Sequence, residues 1–538
     1  MVLALVALGL YVPGLGWGLP GVHSWSQDTV AGLRTAAALV EAPEHFHGRY
    51  PPLHYWINHT LYKPFYAHWD HAGELGDDHR SGLRIPAPPL DRKVGALILT
   101  SRCLGVVMAF LAGLGVWASA RVFTDDETVS LLSAIVLMIG AEFTYFAHLG
   151  NVDIPSMCWF AWSVYFYARA RRSRRWWDCA LLGVFAACAV GTKDGVAGAY
   201  PGMAVVLLAE AISRWTREDN AGKRFSPVVA DLLKWLCGLA AFVSLYATIN
   251  WVMGDFDSYK TRMTYWLDSS RDTIHAHQYR YPDQLSLALA TIRYAAGAVG
   301  WPMVVVMAGA VVHTLNKHRR LALWVLLPVM SYYVLVIVQL QFVYARFLFP
   351  PLALLGVLVG KSVVDLVRNV RLPNIVRLGV PCCVGALSLG YVVAVDLEMV
   401  TDSRYQAEAW FKGNVAQTAS VGAFSSPQYL PRLTESGYDT YAVKMARESF
   451  DRPQPEYLVL TSYNYEDFDK TQDACRRDLE REKLGYDSVA VFRHRFLGTG
   501  SSWVSLAGWG TERVGKISPT LVILRRTDSE SNIAQHRP

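Results

Sequence analysis

Apolar runs of about 20 residues, the length that crosses a hydrocarbon core as a helix, alternate along this chain with short polar loops. They fall at 1–20, 95–118, 128–147, 152–170, 177–192, 195–212, 232–253, 290–312, 321–340, 346–366 and 376–397. The pattern predicts an α-helical polytopic membrane protein with about 11 transmembrane helices. Two longer polar stretches, 21–94 and 254–289, interrupt it. After the last run the pattern changes. Ser403 to Asn414 reads as an amphipathic helix. Ala419 to Phe424, Glu456 to Thr461, Ser488 to Arg493 and Thr520 to Leu524 read as short strands, with a helical stretch from Thr471 to Lys483 among them. The reading is therefore a membrane domain over 1–398 and a small α/β domain over 399–538.

Loop charge orients the bundle. Arg169, Arg171, Arg172, Arg174 and Arg175 follow the fourth run; Arg214, Arg217, Lys223 and Arg224 follow the sixth. Lys317, Arg319 and Arg320, then Lys361, Arg368, Arg371 and Arg377, phase onto the same face. Short loops rich in Lys and Arg are cytoplasmic, so the 21–94 loop, the 254–289 loop and the tail are expected outside. The acidic loop at Asp125-Asp126-Glu127 also falls on the cation-rich face. The placement expected is an inner, plasma-membrane protein with its working face extracytoplasmic. The first run lacks both a basic start and a small-residue cleavage site, so it is read as the first span.

Composition adds little to this. The chain is 52% hydrophobic with 18% charged residues, and its mean hydropathy is +0.20. The net charge of +6 reflects the basic loops and does not point to nucleic acid. Seven cysteines lie in apolar runs and only Cys475 lies in the tail, so a disulfide framework is not expected.

The same topology gathers Asp28, Arg49, Asp153, Lys193 and Arg346 onto the outer face. Ionisable groups at membrane depth are costly and mark function. In the first outer loop a helix is expected from Thr29 to Val40. Tyr50-Pro51-Pro52-Leu53-His54-Tyr55-Trp56 then opens a second helix, because paired prolines suit a helix start. Leu53, Trp56, Ile57, Leu61 and Phe65 recur at helical spacing, which suits a helix lying in the headgroup layer over the mouth of a site.

These pieces stand in an order that resembles a family. They are the acidic residue of the first loop, Pro51-Pro52-Leu53-His54-Tyr55-Trp56, the acidic Asp153 opening the fourth run, Gly300-Trp301-Pro302, Arg346-Phe347-Leu348-Phe349-Pro350-Pro351-Leu352, and Asp402-Ser403-Arg404-Tyr405. The chain is similar in them to the GT-C membrane glycosyltransferases, specifically glycosyltransferase family 39, which includes the protein O-mannosyltransferases and the aminoarabinose transferases of lipid A. Two positions depart from that pattern: Thr29 follows Asp28 where the family commonly has Glu, and Tyr50 stands where a Lys is common. The resemblance implies a GT-C fold and a sugar donor carried on a polyprenyl phosphate. It also implies a hydroxyl acceptor on a protein, a lipid or a cell-surface glycan.

Such a transfer needs no general acid for its phosphate leaving group. It does need cations, or a metal, beside the developing charge, and a carboxylate to take the acceptor proton. Asp28 is the candidate base and Asp153 the second acid or orienting group. Lys193, Arg346 and Arg49 are candidates for the phosphate. Tyr50, His54 and Tyr55 are further candidate substrate contacts, since aromatic faces stack on sugar rings. Each has a plainer alternative. Asp28 and Asp153 can be helix caps, Lys193 can pair with Asp194, and Arg346 can snorkel.

No cofactor is assigned and a divalent metal stays open, since His45-Phe46-His47 and His275-Ala276-His277 have metal-compatible spacing, without an evident third ligand. Asn58-His59-Thr60 matches a glycosylation acceptor. The competing function is a transporter or flippase of a lipid-linked substrate. No duplicated half is visible, and the charged candidates sit at the outer ends of the runs rather than at the midplane, which favours an enzyme.

Overall fold

The computed structural model describes residues 1–26, 33–41, 50–78, 83–173, 175–219, 226–252, 254–257, 259–264, 280–445, 455–462, 470–481, 484–493 and 517–527. Asp28, Arg49 and both His-x-His pairs lie outside these residues.

Among the described residues, six helices are long and apolar enough to cross a membrane: Leu90–Thr124, Asp194–Thr216, Val229–Ile249, Arg319–Leu340, Ala345–Arg368 and Ile375–Asn414. Two bent pairs raise this to 8 if each counts as one span, and Val2–Tyr11 and Trp176–Val190 are shorter apolar helices. Three expectations change in detail. The first run forms only the ten-residue Val2–Tyr11 helix, which ends just before Pro13-Gly14. It rises roughly 15 Å, half of a bilayer core. The run at 128–147 bends by 69° between Glu127–Met138 and Ala141–Ala147. The run at 290–312 is not one helix, because Tyr281–Val299 and Trp301–Lys317 meet at 116°. Gly300 between them has φ 87, a left-handed conformation open to glycine, and Pro302 starts the next helix without needing an amide partner.

The Asp153–Arg172 helix sits at the centre, packed on Leu90–Thr124 and Trp176–Val190. It is more polar than the other spans and is buried along most of its length. A helix surrounded by helices need not be apolar against lipid. Its two ends define two faces. At the Arg172 end, Arg171 stacks 3.1 Å from the Trp324 ring centre and lies 3.5 Å from Glu210. Asp126, in the acidic loop, caps Glu127–Met138 and pairs with Arg368 at 2.5 Å. Its charge is therefore matched inside the basic face, which accounts for an acidic loop on that side. At the other end lie Asp153 and the long polar loop.

In that loop, Leu33–Glu41 and Leu53–His71 form helices, and a hairpin that the sequence pattern did not predict pairs Leu75–Asp78 with Leu83–Pro86. The Leu53–His71 helix begins where the double proline placed it. The face it buries is not the aliphatic one. His54, Tyr55, Asn58, Tyr62, Tyr66 and Trp69 go inward, onto Val94, Leu97 and Ile98 of the Leu90–Thr124 helix. Leu53, Trp56, Ile57, Leu61 and Phe65 stay half-exposed. The aromatic stripe carries more buriable area, so it takes the protein side.

The C-terminal region carries a five-stranded sheet in the order Asp439–Ala442, Ser420–Ala423, Tyr457–Thr461, Leu521–Arg526, Tyr486–Phe492. The first two pairings are parallel and the last two antiparallel. Four strands stand where the alternation put them. Asp439–Ala442 gave no such signal because it is short and mostly exposed.

A buried polar knot ties this region to the start of the chain. Asp402 and Arg404 are both fully buried and paired at 2.6 Å. Asp402 also accepts from Trp17 Nε1 at 2.8 Å and from the Ser518 amide at 2.9 Å. The Arg404 guanidinium lies 4.0 Å from the Trp25 ring centre, and the Tyr405 hydroxyl accepts from the Gly18 amide at 2.8 Å. Gly18 has φ +72, and a Cβ there would meet Trp25 at 2.8 Å, so only glycine fits. On the other side, Arg102 donates to the carbonyls of Leu15 and Trp17 at 2.8 and 2.7 Å. Arg432, paired with Glu408, donates to the Pro20 carbonyl at 2.9 Å. The 12–26 segment is thus clamped immediately before Asp28.

Candidate active site

Asp153 opens its helix but does not cap it. Val152 is the N-cap residue, and no side-chain capping bond forms. The carboxylate, 4% exposed, is instead held from both sides. Oδ2 accepts from the Asn151 amide at 2.9 Å, and Oδ1 accepts from Lys193 Nζ. Lys193 therefore pairs with Asp153 across two helices. Its sequence neighbour Asp194 pairs with Arg262 of the second polar loop at 2.7 Å, and Arg262 also donates to Asn250 at 2.8 Å. Adjacency along the chain suggested the wrong partner: Lys193 precedes the 3₁₀ turn Asp194–Ala199, where successive side chains diverge.

Arg346 lies on the 3₁₀ turn Ala345–Leu348, just ahead of the Phe349–Arg368 helix. Pro350 and Pro351 start that helix. The Arg346 guanidinium is 5.2 Å from the Tyr344 ring centre, 5.8 Å from Phe146 and 5.9 Å from Phe347. Lys193 Nζ is 4.9 Å from that same Phe347 ring. The Tyr332 hydroxyl fixes the turn by donating to the Phe347 carbonyl at 2.6 Å. One aromatic ring, Phe347, thus lies beside two cations, and one of them, Lys193, is bound to the Asp153 carboxylate. A cation–π contact and N–H donation to an anion use different directions of the same cation, so both can be made at once.

The Pro51-Pro52 segment docks onto this group. Prolines have no N–H, so Leu53 carries the first free amide of its helix, and it donates to the Gly191 carbonyl at 3.0 Å, two residues before Lys193. Tyr50 is half-buried against the aromatic cluster beneath, and Tyr55 is inside it. His54 is fully buried, its Nε2 3.0 Å from the Asn58 amide. It braces the helix rather than facing solvent. Asn58 is buried as well, which removes it as a glycosylation acceptor. Burial pushes the His54 imidazole down to about 3. Above about pH 6.5 the group is neutral whether folded or unfolded. As pH falls toward 3 the unfolded chain takes up a proton that the folded chain refuses, so stability is lost through that window by up to about 1.4 kcal/mol per pH unit. Hydrogen exchange in 53–71, corrected for intrinsic pH effects, should show protection falling between pH 7 and 5. His54→Gln should flatten that dependence, and an unchanged slope would assign it elsewhere.

Sequence reasoning missed Asn151, Phe347, Asp194 and Arg262 as parts of this arrangement. The Asn-x-Asp spacing at 151–153 was the available signal for the first. Arg262 was one of several cations in its loop, with Lys260, Arg271 and Arg280, and nothing in the sequence set it apart. A cavity of about 490 Å³ opens between the clamped segment (Val22, His23, Trp25) and the C-terminal region (Ser425, Arg432, Thr440).

Residues 94–221 match the family described as dolichyl-phosphate-mannose-protein mannosyltransferase. The matched stretch includes both Asp153 and Lys193. The resemblance to membrane glycosyltransferases is therefore shown over the segment that carries the ion pair. Among solved structures, the apo oligosaccharyltransferase of Archaeoglobus fulgidus is 12% identical with a TM-score of 0.44, over 86% of this chain and 69% of that chain. ArnT from Cupriavidus metallidurans bound to undecaprenyl phosphate is 13% identical with a TM-score of 0.43, over 97% of each chain. The S. cerevisiae protein O-mannosyltransferase Pmt1–Pmt2 complex bound to its sugar donor is 15% identical with a TM-score of 0.33, over 47% of this chain and 33% of that one. No curated protein sequence matches the chain.

Proposed function

We propose that this protein is a GT-C glycosyltransferase that moves a sugar from a polyprenyl phosphate to an acceptor hydroxyl at the extracytoplasmic face of the membrane. The observation that carries the reading is the Asp153–Lys193 pair, inside the segment matched to the dolichyl-phosphate-mannose-protein mannosyltransferase family, with Lys193 and Arg346 both beside the Phe347 ring at one end of the bundle. Lys193 and Arg346 hold the phosphate of the donor. Asp153, tied down by Asn151, orients Lys193. Asp28 accepts the proton of the acceptor hydroxyl as its oxygen bonds to the anomeric carbon. The anomeric carbon–phosphate oxygen bond breaks, and the polyprenyl phosphate leaves with the electron pair, stabilised by the two cations.

The acceptor class is a protein, a lipid or a cell-surface glycan, admitted through the cavity between Trp25 and the C-terminal sheet. Trp25, which lines the cavity, precedes Asp28 by three residues in the chain. The half-exposed aliphatic stripe of Leu53–His71 suits a helix lying in the headgroup layer beside the lipid donor. The count of basic loops supports this end as the outer one, and the same reading takes 1–398 as the catalytic domain and 399–538 as a separate extracytoplasmic domain.

The test is to reconstitute the protein in sealed vesicles of known orientation and supply a panel of polyprenyl-phosphate sugars from one side. Release of free polyprenyl phosphate should occur only from the face bearing Asp153. No release with any donor in the panel would reject the reaction, and release only from the basic face would invert the topology. Arg346→Ala should raise the donor KM at least tenfold with a smaller change in kcat, since one charge-assisted phosphate contact is lost. An unchanged KM would move the phosphate to Lys193 alone.

A further inference from the structure

A second group of ligand-type side chains lies at the other end of the Phe349–Arg368 helix. That helix has 20 residues, so its far end is roughly 28 Å from Arg346. His313 stands in the last turns of Trp301–Lys317, His318 is the hinge residue before Arg319–Tyr332, and Asp365 is in the last turn of Phe349–Arg368. His313 Nε2 is 3.0 Å and His318 Nε2 2.8 Å from the same oxygen, Asp365 Oδ2. The three ligand atoms lie within 4.8 Å of one another. All three side chains are between 21% and 33% exposed, so an ion in water can reach them.

The carboxylate is shared between a charge partner and two ligand-type rings. Lys361 Nζ already binds Asp365 Oδ1 at 2.6 Å and balances the carboxylate. Two imidazoles from different helix ends then converge on the remaining oxygen, Oδ2. Two ring nitrogens and one carboxylate oxygen aimed at a common point are a familiar ligand set for a divalent ion. Zinc takes such ligands at about 2.0–2.2 Å in a tetrahedron, with water in the open fourth position. With imidazole in the majority and no thiolate, the set suits zinc, cobalt, nickel or copper better than calcium or magnesium.

We propose that His313, His318 and Asp365 form a binding site for a divalent transition-metal ion of the zinc class, which pins three helix ends together on the basic face of the bundle. The site is independent of the glycosyltransferase reading. The surrounding cations Lys317, Arg319, Arg320 and Lys361 oppose the ion, so it is held by ligand geometry rather than by a favourable field. Each imidazole must be unprotonated to bind, so loading releases protons on acidic solutions and weakens as pH falls.

The experiment uses the purified full chain, stripped by chelator and titrated with Co²⁺ alone, with visible absorption as the readout. One Co²⁺ per chain should produce the bands of a low-symmetry tetrahedral site, and added Zn²⁺ should abolish them. His318→Gln keeps a side-chain donor to Asp365 but removes the imidazole ligand. Its melting temperature without metal should match wild type, while its affinity for Co²⁺ falls at least tenfold. A His45→Ala/His47→Ala variant should retain the bands, which excludes binding in the first loop. Zn²⁺ should raise the melting temperature of wild type and leave that of His318→Gln unmoved. No cobalt bands in wild type, or equal bands in wild type and His318→Gln, would overturn the proposal and leave a hydrogen-bonded knot.

Discussion

Asp28→Asn is expected to lower turnover by roughly 10²-fold or more, the usual scale for removal of a general base, with donor KM nearly unchanged. The amide is isosteric and neutral, and it cannot accept the acceptor's proton. The residues that precede Asp28 are held in place. Trp17 and Trp25 are locked by Asp402 and Arg404, and the Leu15 and Trp17 carbonyls are locked by Arg102. Because the segment is held this firmly up to Ser26, Asp28 is only two residues from a fixed point beside the cavity. Asp153→Asn should behave differently. It frees Lys193 from its carboxylate partner, so its effect should overlap with that of Lys193→Ala, and the double variant should cost much less than the product of the two. Fully multiplicative effects of Asp153→Asn and Lys193→Ala would separate the pair. Asp28→Asn at the wild-type rate, with wild-type expression and melting, would reduce Asp28 to a helix cap.

The second large effect is on folding. Asp402→Ala leaves the Arg404 guanidinium buried without its carboxylate, and it also orphans Trp17 Nε1–H and the Ser518 amide. Removing one partner of a fully buried ion pair costs about 3–5 kcal/mol. The expected result is a strongly lowered melting temperature and protease cleavage near 12–26. The membrane helices should stay inserted, since their hydrogen bonds are internal. Glu408→Ala, by contrast, disturbs the partly exposed Arg432 pair, and its cost should be clearly smaller. Equal melting of Asp402→Ala and wild type would show that the knot contributes no net stability.

How much was legible in the sequence differs from one element to the next. The helix after Pro51-Pro52 could be read because a proline pair acts on its own backbone. The strands at 420–423 and 457–461 were legible because a short, mostly apolar run bounded by polar residues marks a strand buried on both faces. The break at Gly300 was visible as Gly-Trp-Pro, yet an apolar run on both sides hid it. Which face of Leu53–His71 packs on the protein was not legible, because both of its faces are apolar and only the docking surface at Val94, Leu97 and Ile98 chooses between them.

For the candidate site the division is sharper. The sequence by itself determined which residue types stand at which end of the bundle. The order of apolar runs and loop charges phases Asp153, Lys193 and Arg346 together and the Arg and Lys clusters opposite, although the runs at 128–147 and 290–312 are bent. Only the tertiary structure decided who pairs with whom. Lys193 reaches Asp153, 40 positions away, rather than adjacent Asp194. Asp194 reaches Arg262, Asp402 reaches Trp17 and Ser518, and Asp365 gathers two histidines. The physical reason is that an unpaired charge or polar group in a water-poor interior is expensive. Each one therefore takes whichever partner the packed helix ends bring within reach, and separation along the chain carries no information about that.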